Sequence, residues 1–176
     1  ITASPSGKAG AKTWLDDTSK SAFPLARISD VLLNPGKKIH YNGTEITYPN
    51  IKAVYWAGGN PFVHHQDTNT LVKAFQQPDV VIVNGENAAH GLGLTPKIYQ
   101  ELRRLGADVI TMGNHTFDKP DVVQIWLQDN VLVRPLNYPD KTAGKGYHIL
   151  PVLGKRLCVV QVLGRGYMGT KLELSD

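Results

Sequence analysis

The chain carries a single cysteine, Cys158, which excludes an internal disulfide, a CxxC redox pair and a cysteine-ligated cluster. Its setting in the apolar run LCVVQVL predicts a buried, inert thiol. No apolar run approaches the roughly 18 residues that a membrane-spanning helix requires, so no membrane partner is expected. A strong excess of one charge is also missing. The net charge is +4, and the basic residues fall in pairs (Lys37-Lys38, Arg103-Arg104, Lys155-Arg156) rather than along a stripe. A nucleic-acid groove is therefore not expected. The opening residues lack a basic-then-apolar signal segment, which together with the free thiol points to the cytoplasm. No internal repeat is visible.

What is present is well punctuated. A length of 176 residues suits one domain, or one domain with an appendage. Residues 1 to about 22 are rich in Ser, Gly, Lys, Ala and Thr and read as an extended arm. Leu25, Ile28, Val31 and Leu32 then recur at helical spacing until Asn34-Pro35-Gly36 stops the run. KIHYNGTEITYP places two alternating segments around Asn42-Gly43, a hairpin signal because both turn residues tolerate positive φ. Residues 1–50 are thus expected to form an arm, a helix and a β-hairpin, and residues 51–176 a single α/β domain.

From Ile51 strands and helices alternate. IKAVYWAGG, DVVIVN and DVITMGN read as strands. The run 67–77 carries Leu71, Val72 and Phe75 on one helical face. TPKIYQELRRLG is a helix with Thr95 as N-cap, Pro96 in the first turn and Gly106 closing it. Another helix is expected over 121–129, with Val122, Ile125 and Trp126 inward. VLVRPLNY, GYHILPVL and RLCVVQVLG read as three more strands. The expected fold is α/β, a mostly parallel sheet flanked by helices on both faces in a Rossmann-like three-layer arrangement.

In such sheets ligands gather beyond the carboxyl ends of the strands. VVIVNGENAAHG delivers Asn84, Gly85, Glu86 and Asn87 to that rim, and VITMGNH delivers Gly113, Asn114 and His115. If the two strands are neighbours, Glu86, Asn87, Asn114 and His115 converge. One carboxylate with neutral amide oxygens suits a hard divalent metal, and a histidine beside it can protonate a leaving oxygen. Asn-Gly is also a common turn, and Asn-His can cap a following helix. Residue types alone leave both readings open.

NGENAAHGLGLTP, DVITMGNHTFDK, RPLNYP, GKGY and VLGRGYM together resemble the bacterial dinuclear-metal 2′,3′-cyclic-nucleotide phosphodiesterases of the calcineurin-like metallophosphoesterase superfamily, over about residues 79–170. The resemblance implies a phosphodiester or nucleotide ligand and a divalent metal, Mn or Fe. It also implies Glu86, Asn87 and Asn114 as metal ligands and His115 as the acid assisting the leaving group. Two departures stand out. The family's first strand ends in Gly-Asp with the Asp on the metal, whereas here Gly58-Gly59-Asn60 follows VYWA. The family's later histidine elements have no counterpart up to Asp176. A weakly held metal and a site without efficient catalysis are expected, with a residual Mn- or Fe-dependent phosphodiesterase as the alternative.

The first half resembles a different family. FPLARISDVLLNPGK and NGTEITYPNIKAVYWAGGNPFVHHQDTNTLVKAFQQPDVVIV are similar to the molybdopterin oxidoreductases of the dimethyl sulfoxide and trimethylamine N-oxide reductase branch, over about 23–83. By that resemblance Gly59, Asn60, His64, His65, Gln66 and Asp67 match a loop lining molybdopterin guanine dinucleotide. Glycines after a strand admit a close ligand, and a following helix N-terminus favours phosphate. This fragment alone is not expected to hold that cofactor or to carry out redox chemistry, though a nucleotide-binding role for the loop is a further alternative. The chain therefore reads as a chimera with a seam near 80–85. A periplasmic origin of its first segment is an alternative to the cytoplasm, and exposed sheet edges predict a homo-oligomer.

Overall fold

The structure is a computed structural model that describes residues 23–41 and 43–164. The expected arm over 1–22, Asn42 of the hairpin turn and residues 165–176 lie outside the described residues.

A 3-10 turn, Leu25–Arg27, leads into α1, Ile28–Leu33, whose Ile28, Val31 and Leu32 are buried. Strands β1 (Lys38–Tyr41) and β2 (Thr44–Thr47) form the expected antiparallel hairpin, with Gly43 left-handed at φ +77. Asp30 of α1 ties the helix to both ends of the hairpin. It accepts from the Tyr48 hydroxyl at 2.8 Å and from Lys37 Nζ at 2.8 Å.

Strands β3 (Ala53–Trp56), β4 (Val80–Asn84), β5 (Val109–Thr111) and β6 (Leu132–Val133) make a four-stranded parallel sheet in the order β3-β4-β5-β6. Between them run α2 (Pro61–His64), α3 (Thr68–Ala74), α4 (Pro96–Arg104) and α5 (Val122–Gln128). Strand order follows chain order, so right-handed crossovers place successive helices on the same face. The core agrees. Val54, Trp56, Val81, Val83, Ile110 and Leu132 share one buried cluster with Leu32, Leu71, Phe75, Leu102, Val122 and Ile125 of the helices and their ends. Each such side chain contributes about 1.5–3 kcal/mol through burial.

The opposite face is covered differently. Ile82, Val109 and Val133 pack against Leu150, Leu157 and Val159. Those three belong to β7 (Tyr147–Val152) and β8 (Lys155–Val160), an antiparallel hairpin. The three layers are thus helices, parallel sheet and hairpin, and two of the predicted strands leave the parallel sheet. The cause is the connection: only Leu153 and Gly154 link them, both left-handed at φ 48 and 73. A parallel return needs about a dozen residues, whereas a two-residue turn with positive φ at both positions closes a hairpin.

Other boundaries moved for local reasons. Asp67 caps α3 by accepting from Thr70 N–H at 3.1 Å, so the helix begins at Thr68. The short α2 was not foreseen. Of VLVRPLNY only Leu132–Val133 stays in the sheet, and Pro135 has no N–H to extend it. Thr95 and Pro96 open α4 as expected, and Gly106 follows it at φ +116. Cys158 is a correction: it is exposed, not buried. It lies on the outer face of the hairpin with Tyr147, Ile149 and Val160, where the described residues supply no covering layer. The ladder crosses the expected seam without interruption, from Ala53↔Val80 to Trp56↔Val83 on one side of β4 and from Ile82↔Val109 to Asn84↔Thr111 on the other. Among the described residues no helix is long and apolar enough to cross a membrane.

Candidate functional site

Because β4 and β5 are parallel neighbours, the loops that follow them leave from the same edge. The Gly85 N–H donates to Thr111 O at 2.8 Å, which extends the ladder one step into the loop. The backbone then folds back on itself: Ala88 N–H donates to Gly85 O, Gly91 N–H to Asn87 O, and Gly93 N–H to Glu86 O at 2.6 Å. These bonds fix the turn that carries Glu86 and Asn87. Gly113 explains where the Glu86 side chain goes. A Cβ at position 113 would lie 1.7 Å from Glu86 Oε2, so the carboxylate occupies the space that any other residue would fill.

Burial raises the Glu86 carboxyl above the ordinary carboxylate range, against the opposing pull of His115 and the Asn114 backbone N–H. Its Oε2 is buried without a hydrogen-bond partner, as is Oδ1 of Asn84, whose Nδ2 reaches Thr111 Oγ1 at 3.4 Å. Asn114 Nδ2 lies 3.1 Å from His115 Nε2, and His115 Nδ1 lies 2.6 Å from Asp118 Oδ2. The Asp118 carboxylate beside Nδ1 orients the ring.

The structure therefore brings Glu86, Asn114 and His115 together, with Asn87 on the same turn. Three participants were not foreseen. Asp118 orients His115. Thr116 and Tyr138, both buried, donate their hydroxyls to Gly113 O at 2.5 and 3.3 Å. The spacing between His115 and Asp118 was readable in the sequence. The reach of Tyr138 across 25 residues was not.

The loop after β3 is a self-capped turn. Gly59 is left-handed at φ +70, and Trp56 Nε1 donates to Gly58 O at 2.8 Å. Asn60 is buried and caps α2: its Oδ1 accepts from Phe62 N–H at 3.0 Å and its carbonyl from Val63 N–H at 3.1 Å. His64 closes α2, and the His65 N–H donates to Pro61 O. His65 Nδ1 accepts from Asp67 N–H at 3.1 Å, and Gln66 is exposed. The N–H groups that would meet a phosphate at this helix start are already engaged. The residues of this loop do not by themselves fit a molybdopterin cofactor.

The fit to metal is partial. A buried carboxylate oxygen and a buried amide oxygen, both without partners, are hard donors. Among the described residues no group of three His, Cys, Asp or Glu is gathered in a way that could hold a metal ion.

Comparison with known proteins gives two matches. Residues 62–175 match the family described as YmdB-like protein, and residues 3–88 match molybdopterin oxidoreductase. Both therefore include 62–88, the segment from α2 to β4. The chain is 57% identical over 169 residues to a trimethylamine-N-oxide reductase of Haemophilus influenzae, covering 94% of this chain and 19% of that protein. It is 47% identical over 97 residues to a 2′,3′-cyclic-nucleotide 2′-phosphodiesterase of Bacillus subtilis, covering 55% of this chain and 37% of that protein. Among solved structures, a hypothetical protein from Thermus thermophilus superposes with TM-score 0.58 at 36% identity, over 70% of this chain and 47% of that one. A novel phosphatase from Mycoplasma pneumoniae gives TM-score 0.55 at 30% identity, over 72% and 45%. The chain thus spans less than half the length of each of these relatives.

Proposed function

The chain belongs to the YmdB-like family, with a molybdopterin oxidoreductase segment joined to its N-terminal side, and from that premise we propose that it is a phosphodiesterase-type scaffold that does not turn over phosphodiesters efficiently by itself. In this reading Glu86, Asn87 and Asn114 face a phosphoester ligand and hold at most one divalent cation, Mn or Fe, weakly. Such a cation would polarise the phosphoryl oxygens and supply hydroxide from bound water. The chain's own residues orient the rim: Asp118 holds the His115 ring, and Gly113 leaves room for the Glu86 carboxylate.

The observation that supports this reading is the charge of the donor set. One carboxylate, two amides and a histidine offset little of the desolvation of two dications. The strand that brings a carboxylate to this rim in the resembling phosphodiesterases ends here in Gly58-Gly59-Asn60.

The test is hydrolysis of bis-p-nitrophenyl phosphate with Mn by the wild-type chain, Glu86→Ala and His115→Ala. All three are expected to match metal in buffer. A wild-type rate clearly above both variants would establish the residual metal-dependent phosphodiesterase instead.

A further inference from the structure

Gly85 shows which way its neighbours turn. A Cβ at this position would meet Ile110 Cγ2 at 2.9 Å and Leu94 Cδ1 at 3.6 Å, both in the cluster on the helix side of the sheet. Side chains alternate along an extended chain, so Asn84 and Glu86 turn to the opposite side, toward the hairpin. Two further observations agree. Asn84 Nδ2 reaches Thr111 Oγ1 at 3.4 Å, and Thr111 is flanked in sequence by Ile110 and Met112 of the helix-side cluster. The space in front of Gly113, two residues on from Thr111, is filled by the Glu86 carboxylate. Asn84 and Thr111 therefore share one row on this face of the sheet end, and Glu86 stands in the next, about 7 Å further along the strand.

Each row holds an oxygen without a partner. Asn84 is 6% exposed, and its Oδ1 is buried with no hydrogen bond, as is Glu86 Oε2. A carboxylate and an amide carbonyl only accept, so neither satisfies the other. The donors around them are spent: Asn84 Nδ2 on Thr111, and the Thr116 and Tyr138 hydroxyls on Gly113 O. A buried acceptor left alone is costly, and two on one face, one of them on a carboxylate, suit a positive ligand. A hard cation is such a ligand, because carboxylate and amide oxygens are its ordinary donors. We propose that Asn84 is a further ligand of the single divalent cation at this rim, its Oδ1 binding the ion together with Glu86 Oε2 from the inner side of the sheet end. Asn84 is not among the ligands that the resemblance to the phosphodiesterases implies.

The proposal rests on the reading of the rim as a one-cation site, and its test measures metal binding rather than turnover. Mn is titrated into the chain, and the free ion is followed by its EPR signal. The variants are Asn84→Ala, Asn84→Asp, Glu86→Gln and, as a control for added charge at an exposed amide elsewhere, Asn50→Asp. Asn84→Ala is expected to weaken Mn binding about fivefold, and Glu86→Gln at least as much. Asn84→Asp is expected to tighten it about tenfold, because the charge of the ligands sets affinity, and Asn50→Asp to leave it unchanged. Thermal unfolding gives a second reading: Mn is expected to raise the midpoint of Asn84→Asp more than that of wild type. An unchanged Mn affinity in folded Asn84→Ala would overturn the proposal and leave the two oxygens to a bridging water. So would an Asn84→Asp chain that binds Mn no more tightly than Asn50→Asp. If either Asn84 variant does not fold, the other decides. A wild-type chain that takes up no Mn would overturn this proposal and leave the reading of inefficient turnover standing. Efficient turnover by the wild-type chain would end that reading without altering the expected order of affinities.

Discussion

Glu86 is a partly buried carboxylate. Its pKa is raised chiefly by burial, with His115 and the Asn114 N–H pulling the other way. The sign of the pH dependence follows. An acid whose folded pKa lies above its unfolded value favours the folded state when protonated. That contribution is complete below the unfolded carboxylate range and is lost as pH rises through the folded value. Glu86→Gln, which stays neutral, is therefore expected to be more stable than wild type at neutral pH, with the difference vanishing in mild acid. Urea unfolding of both proteins at the two pH values measures it. A pH-independent difference would show that Glu86 ionises as it does in the unfolded chain. The rim's main residues were legible because Asn-Gly-Glu-Asn and Gly-Asn-His follow strand-like runs. Thr116 and Tyr138 were not, because their role lies in a tertiary hydrogen bond to a carbonyl, which leaves no spacing to read.

At the scale of elements, periodicity and capping fixed most boundaries. Thr95-Pro96 and Gly106 bracket α4 because the cap oxygen, the absent N–H and the left-handed residue each suit one end. The direction of β7 and β8 was hidden, because alternating apolar residues look alike in parallel and antiparallel strands. Only the two-residue link at Leu153-Gly154 carried that information. Cys158 was misjudged for a related reason: both faces of the hairpin are apolar, and only one meets the sheet. Leu153 is the weak point of that turn. It is 76% exposed and left-handed at φ 48, a conformation that disfavours a branched aliphatic side chain. Leu153→Asn, which recreates the preferred Asn-Gly pair, is expected to stabilise the chain by about 1 kcal/mol. A higher urea midpoint with an unchanged slope would agree, and a lower midpoint would show that the Leu153 side chain makes contacts worth more than its backbone strain.

At the scale of the molecule, the parallel ladder is what the two family segments share. The region matched by both runs from α2 to β4, and β4 pairs with neighbours on each side without a break. A right-handed β-α-β unit taken from one α/β protein preserves strand spacing, twist and burial in another. It does not preserve the chemistry at the strand ends, because that depends on individual loop residues. The fold therefore continues through Val83, while in the first loop Asn60 serves to cap α2. The exposed outer face of the hairpin, with Tyr147 at 51% and Val160 at 46%, is expected to drive concentration-dependent self-association. Sedimentation velocity should show a monomer shift in the double variant Ile149→Lys/Val160→Lys. An identical distribution for variant and wild type would place any association elsewhere.

The central claim is that this rim lacks the ligands for a pair of catalytic cations. Anomalous diffraction at the Mn absorption edge, on crystals equilibrated with excess Mn, tests it most directly. The expected map shows no more than one partly occupied ion beside Glu86 and Asn114. Two ions at full occupancy, bridged by Glu86, would contradict the account.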